Sequence, residues 1–189
     1  MSKMKTRVDA PDGASVFLRE IEGPEAELDF FELHPQLSEI WKEPLLSMAR
    51  EGFVEMGRCE GGRFAIEETG RVVGVTGFYA VREEPSILRL RWHGLIPEAR
   101  GRGLSGSAMR AAAELGRSRF PQAELLVESM PSGAKGALIA SHFEALGFSP
   151  RGRPQPGGAA GFDWQEWAAD LSVLLRASPN SGARRAAKP

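Results

Sequence analysis

Apolar positions along this chain switch between two periods. Residues 15–21 fit a short first strand, which Gly23-Pro24 breaks. Residues 25–33 and 36–51 read as two helical segments separated by His34-Pro35. In the second, Leu37, Ile40, Trp41, Leu45 and Met48 fall near helical spacing, with Pro44 as a kink. Strand signals then return. Phe64-Ala65-Ile66 and Val72-Val73-Gly74-Val75 flank Thr69-Gly70, a hairpin turn, and the third strand runs on through Phe78-Tyr79. Pro85 separates it from a fourth strand over residues 87–96. Alternation there puts Leu88, Leu90 and Trp92 on one face and Arg89, Arg91 and His93 on the other. Gly94 interrupts the pattern and suits a β-bulge or close ligand approach.

The second half is clearer. A helix runs from Leu104 to about Arg117, with Leu104, Ala108, Ala111, Ala112 and Leu115 as one apolar stripe. Residues 123–128 form a fifth strand, with Glu128 at its end. Residues 134–146 form another helix, stopped by Gly147 as the C′ residue, and Phe148 opens a further strand. Residues 154–161 read as a Pro/Gly/Ala-rich loop. Residues 162–175 fit either of two elements. Trp164, Trp167, Ala168, Leu171, Leu174 and Leu175 match a helix, with Asp163 and Glu166 resembling a capping box, whereas a strand over 162–171 would complete a hairpin with the Phe148 strand. The ends, residues 1–13 and 177–189, are polar and expected to be flexible or disordered, which leaves 14–176 as a single domain.

Composition narrows the class. A chain of 189 residues with 42% hydrophobic and 26% charged residues suits one soluble globular domain. The net charge of −1 gives no electrostatic reason to expect nucleic acid or an anionic membrane. Cys59 is the only cysteine, so no internal disulfide forms, in keeping with a cytoplasmic setting. No apolar run has membrane-spanning length, and no metal site is expected.

The chemistry concentrates in Arg100-Gly101-Arg102-Gly103-Leu104-Ser105-Gly106, where a strand hands over to a helix. Glycines let backbone come close to a ligand, and the first N–H groups of a helix have no internal partner and attract anions. Two guanidinium groups add positive charge suited to phosphate oxygens. Gly101, Gly103 and Gly106 satisfy G-x-G-x-x-G, and Glu128, 22 residues beyond Gly106, imitates the ribose acid of a dinucleotide fingerprint. Against that stand the small number of βα units and the three strands before the loop with no crossover helices between them, which indicate antiparallel pairing.

Leu95-Ile96-Pro97-Glu98-Ala99-Arg100-Gly101-Arg102-Gly103-Leu104-Ser105 resembles the acetyl-CoA motif of the GNAT superfamily of N-acetyltransferases, with Arg100, Gly103 and Ser105 at its three marked positions. Ser105 stands where Gly or Ala is usual. His142-Phe143-Glu144-Ala145-Leu146-Gly147-Phe148 resembles the family's late helix, which ends in Gly-Phe, and the resemblance spans roughly residues 14–171. It implies an α/β (α+β) fold with a mixed, mostly antiparallel sheet and helices on both faces. It also implies coenzyme pyrophosphate on the N–H groups of residues 100–106, with the pantetheine arm pairing near Leu95 and Ile96. A bulge near Gly94 would free an N–H for the thioester carbonyl. The reaction implied is acetyl transfer from acetyl-CoA to a primary amine of a small molecule or protein, by direct attack in a ternary complex.

The resemblance leaves the proton-transfer groups open. Arg89 and Arg91 stand in the region where the family often has a Glu base, so His93 is one candidate and Glu128 the other. The plainer readings are a packed strand histidine and a solvated strand-end carboxylate. Phe143 falls at the Tyr that protonates the leaving thiolate in many members, and Gly136 at the usual cofactor-contacting Asn. His142 reads as a core-edge residue on the stripe with Leu138, Ile139 and Leu146. Asp29, Glu32, Glu39 and Glu43 could attract an amine, and Trp41, Trp164 and Trp167 could line an acceptor pocket or fill the core. Two other functions stay open: an acyl-CoA-binding module without turnover, motivated by the missing Glu and Tyr, and a dinucleotide-binding protein.

Overall fold

A computed structural model describes residues 5–9, 15–22, 35, 59–91, 93–133, 136–156 and 163–176. The anticipated helices over 25–33 and 36–51, the 177–189 tail and the side chains of Trp41 and Trp92 lie outside these residues. Pro35 is described; it is helical and exposed. Strands β3 (Cys59–Glu68) and β4 (Arg71–Val81) meet at the predicted turn, where Thr69 (φ 49°) and Gly70 (φ 83°) both take positive φ, as a type I′ hairpin requires.

Within the polar N-terminal stretch, residues 5–9 form a strand. β1 (Lys5–Asp9) pairs antiparallel with β2 (Ser15–Glu20), in register from Lys5↔Arg19 to Asp9↔Ser15. An edge strand needs main-chain pairing and few apolar side chains, and Val8 is buried. The strand predicted over 87–96 divides into β5 (Ile87–Leu90) and β6 (Gly94–Leu95). A 3-10 turn (Pro97–Ala99) leads to α1 (Leu104–Arg119). β7 (Leu125–Pro131) runs beyond Glu128, so that residue is mid-strand rather than at an end. α2 (Ala137–Ala145) closes with a Schellman pattern, in which Phe148 N–H bonds to Phe143 O and Gly147 N–H to Glu144 O, both at 3.0 Å.

The ambiguous segment proves to be both elements. β9 (Trp164–Asp170) pairs with β7 and with β8 (Ser149–Gln155), and α3 (Leu171–Arg176) follows at once. Asp163 and Glu166 form no capping box. Asp170 is the cap, its Oδ1 accepting from Ser172 N–H (2.7 Å) and Val173 N–H (3.1 Å).

The sheet order is β1-β2-β3-β4-β5-β7-β9-β8, with β6 also on β4. Every recorded ladder is antiparallel except β5 with β7, which is far from the parallel sheet of a doubly wound dinucleotide domain. α1 lies on the sheet through its alanine stripe. Leu104, Ala108, Met109 and Ala112 are fully buried, and a Cβ at Gly116 would come within 2.7 Å of Leu88 Cδ1, so glycine there sets how closely helix and sheet approach. No described helix is long and apolar enough to cross a membrane.

Candidate active site

The sheet splits beside α1. The β5–β7 ladder joins Ile87, Leu88 and Arg89 to Leu125, Leu126 and Val127, and stops there. Beyond that point β6 stays with β4, and Glu128–Pro131 stays with β9. The loop of residues 100–106 stands at the end of the β6 side of this split.

That loop presents main-chain donors. Gly101 (φ 75°) and Gly103 (φ 77°) take the left-handed conformation, and Gly103 is the N-cap of α1 without any side-chain cap. The first helical hydrogen bond comes from Ser107 N–H to Gly103 O (3.3 Å). The N–H groups of Leu104, Ser105 and Gly106 therefore have no acceptor within the helix, and no acidic residue occupies the first turn. This donor set fits a pyrophosphate. Gly106 has a packing reason too, since a Cβ would meet Leu146 Cδ2 at 2.9 Å.

The two arginines are placed differently from the simple expectation. Arg102 is turned to Glu68 on β3 through Nη1–Oε2 (2.9 Å) and Nη2–Oε1 (2.6 Å), so its charge is matched within the protein. Arg100 Nε donates to Leu95 O at 3.0 Å. Ile96 N–H bonds to Val73 O, and the Gly74↔Leu95 register turns Leu95's own N–H and C=O away from β4. A bound arm pairing at Leu95 would exchange with the Arg100 side chain.

A bulge decides where His93 points. From Leu90 to Gly94 the chain advances four residues, while its partner β4 advances three, from Phe78 to Val75. The extra residue breaks the strict alternation. His93 does not share a face with Arg89; it joins Thr76, whose face carries Phe78 and packs under α1. Its Nδ1 lies 3.0 Å from Thr76 Oγ1, and its Nε2 lies 2.7 Å from Ser105 Oγ. Burial, followed by the neighbouring His142, lowers its pKa to about 3. The unperturbed titration near neutrality expected of this histidine is thus absent. His142 is an exposed residue of α2 rather than a core-edge one, and its Nε2 lies 3.0 Å from the same Ser105 Oγ. Burial of the ring lowers its pKa as well.

Glu128 is the first β7 residue past the last β5 pairing, and it shares the face of Leu126 and Met130, opposite Trp167 of β9. It is no solvated strand end. The residue retains some surface, but Oε2 is enclosed and has no hydrogen-bond partner among the described residues. Burial raises its pKa to about 8, so it carries a proton at neutral pH. The strand arginine Arg89 lies on the opposite face, held by Glu166 (2.6 Å) and Glu84 (2.7 Å). Burial opposes its charge, but these hydrogen bonds prevail and raise its pKa. Phe143 is buried against Phe148, and Trp167 fills the core. Thr76 is a site group that sequence reasoning did not find, and Ser105, expected at the cofactor loop, also reaches His93 and His142 through its Oγ. The one signal was a lone hydroxyl in the apolar run of β4.

A model of the family described as "Acetyltransferase (GNAT) family" matches residues 18–134, more than half of the chain. The chain belongs to the GNAT acetyltransferase family. Acyl transfer from acyl-CoA is the chemistry of that family, and the orphan N–H groups at Gly103 suit such a donor. No curated protein matches the sequence. Among solved structures, spermidine N-acetyltransferase from Vibrio cholerae in complex with CoA and spermine is 14% identical, with TM-score 0.59 over 85% of this chain and 98% of that one. A ribosomal L7/L12 alpha-N-protein acetyltransferase is 13% identical, with TM-score 0.57 over 90% and 97%. A GNAT-family acetyltransferase from Desulfovibrio desulfuricans, described as putative, is 19% identical, with TM-score 0.56 over 82% and 99%. At such identities the likeness is one of fold, and it bears out the mixed, mostly antiparallel architecture.

Proposed function

We propose that the protein is a cytoplasmic N-acetyltransferase, using acetyl-CoA and a primary amine of a small molecule or protein in a ternary complex. The observation that carries this reading is the uncapped N-terminus of α1 standing at the mouth of a split sheet. Leu104, Ser105 and Gly106 N–H groups, with the loop residues Arg100, Gly101, Arg102 and Gly103, would hold the pyrophosphate. Leu95 and Ile96 would border the arm. Leu95 N–H, turned away from β4 next to Gly94, is the donor for the thioester oxygen, an interaction worth roughly 3 kcal/mol in such sites.

Two groups beside the split have pKa values pushed in opposite directions. That pattern separates acid from base. Glu128, protonated at neutral pH, supplies a proton to the leaving thiolate, the role for which buried Phe143 has no donor. His93, neutral at that pH, is the other group beside the split through which the amine's proton can pass. An alkylammonium has a pKa of about 10, so its proton must leave before nitrogen attacks. An amine acceptor is supported by the family and by the neighbours that act on spermidine and on a protein α-amino group.

The test compares thermal shifts with acetyl-CoA, CoA, NAD and ATP, followed by free-thiol release with a panel of polyamines and N-terminal peptides. Stabilisation by acetyl-CoA and amine-dependent thiol release are expected. Stabilisation by NAD alone would overturn the reading, and tight CoA binding without thiol release would replace it by a non-catalytic acyl-CoA-binding module.

A further inference from the structure

His93 presents a difficulty as a terminal base. Both of its ring nitrogens are engaged, Nδ1 with Thr76 and Nε2 with Ser105, and the residue is half-buried. An imidazole with a pKa of about 3 does not hold a proton taken from an alkylammonium of pKa about 10. What the side chain can do is pass a proton on while remaining neutral. The hydrogen bonds run unbroken from Thr76 Oγ1 through His93 to Ser105 Oγ and on to His142 Nε2, at 3.0, 2.7 and 3.0 Å. One end is buried, since Thr76 is 1% exposed and faces the bulge where the sheet splits. The other end is on the exposed surface of α2.

We propose that Thr76, His93, Ser105 and His142 form a proton-exit chain leading from the bulge to solvent. The inference rests on the acetyltransferase reading. Each member is both donor and acceptor, so the chain has a direction and can reverse it. Thr76 donates to His93 Nδ1, His93 Nε2–H donates to Ser105, and Ser105 donates to His142 Nε2. A proton delivered at Thr76 then shifts every hydrogen one place, and His142 releases Nδ1–H to water. No imidazolium forms at His93.

The balance closes for the whole reaction. The ammonium nitrogen begins with three protons and the amide keeps one. Nitrogen bonds to the acyl carbon and the C–S bond breaks. One proton reaches the thiolate, with Glu128 as intermediary, and one leaves through the chain. Ser105 serves two ends of the site, since its N–H belongs to the anion cradle and its hydroxyl to the chain. The charged groups on the elements around it are Arg91 beside the bulge, Arg110, Glu114, Arg117 and Arg119 on α1, Glu128 on β7 and Glu144 on α2. The titratable neighbour that acts on His93 is His142.

The experiment uses the full chain. His142→Asn keeps an amide able to bond Ser105 but cannot exchange one ring proton for another. The expected result is a kcat lower by about tenfold, a KM for acetyl-CoA within about twofold, an unchanged melting temperature, and recovery of kcat with imidazole in the buffer. An unchanged kcat, or a loss that imidazole does not restore, overturns the chain and leaves a structural clasp between α1 and α2. A second arm needs no turnover. The nitrogen-15 shifts of the His93 ring should follow the titration of His142 in the native protein and cease to do so in Ser105→Ala. Independent titration overturns the chain, whereas failure of every amine to react counts against the acetyltransferase reading alone.

Discussion

Arg102 and Glu68 form a two-bonded ion pair, at 2.9 and 2.6 Å, that ties the loop of residues 100–106 to the β3–β4 hairpin. The pair withholds a guanidinium from the ligand side of the loop. A half-exposed pair of this kind contributes little to stability, on the order of 1 kcal/mol or less. Glu68→Gln should therefore leave folding nearly intact while uncovering one positive charge. Calorimetric titration should show CoA binding about threefold tighter at low salt, with the gain fading as ionic strength rises.

Gly103→Asp should abolish the thermal shift produced by CoA. A non-glycine residue at φ 77° costs roughly 1–2 kcal/mol, and the new carboxylate faces the donors meant for phosphate. Gly101→Ala is the control. It carries similar backbone strain at φ 75°, but its Cβ meets nothing within 4 Å. It should lose stability yet keep the shift, as circular dichroism and thermal melting together will show.

Glu128 makes stability fall with pH in an unusual window. The folded protein keeps this proton up to about pH 8, while the unfolded chain releases it near 4.5. Between those values the native state binds more protons, so stability declines by up to about 1.4 kcal/mol per pH unit and then levels off. Glu128→Gln keeps the shape without the ionisation. Its melting temperature should lose that slope and exceed the native protein's at pH 8, while kcat falls at least about tenfold because an amide supplies no proton. A parallel pH slope in both proteins would show that the carboxyl is ionised in the fold.

Asp170→Ala should lower the melting temperature by a few degrees through loss of the α3 cap. The Ser172 and Val173 hydrogen bonds hold the Asp170 carboxyl below its usual range, so the contribution is present at neutral pH and lost as pH falls through that lowered value. The difference between native and variant melting temperatures should close in acid.

Local chemistry was legible in the order of residues. Thr69-Gly70 specified a hairpin, the alanine stripe specified a helix lying close to a sheet, and Gly147 specified a helix stop, because each depends on neighbours within one turn or one strand pair. The cradle at Gly103 is of the same kind. Residues whose role depends on distant partners were read less well. The Lys5–Asp9 strand is polar apart from Val8 and is ordered by its ladder with β2 and by packing on α1. Alternation put His93 beside Arg89, and one extra residue opposite β4 moved it to the α1 face, where it meets Thr76 and Ser105. Glu128 looked like a solvated end because strand length and the point where β5 parts from β7 are set by pairing, not by composition. Sequence alone determined the family and the glycine-rich strand-to-helix corner proposed to hold an anion, since both lie in short contiguous patterns. Only the tertiary structure decided which side chains share an enclosed space, and hence which protons they hold, because desolvation depends on every element packed around a group.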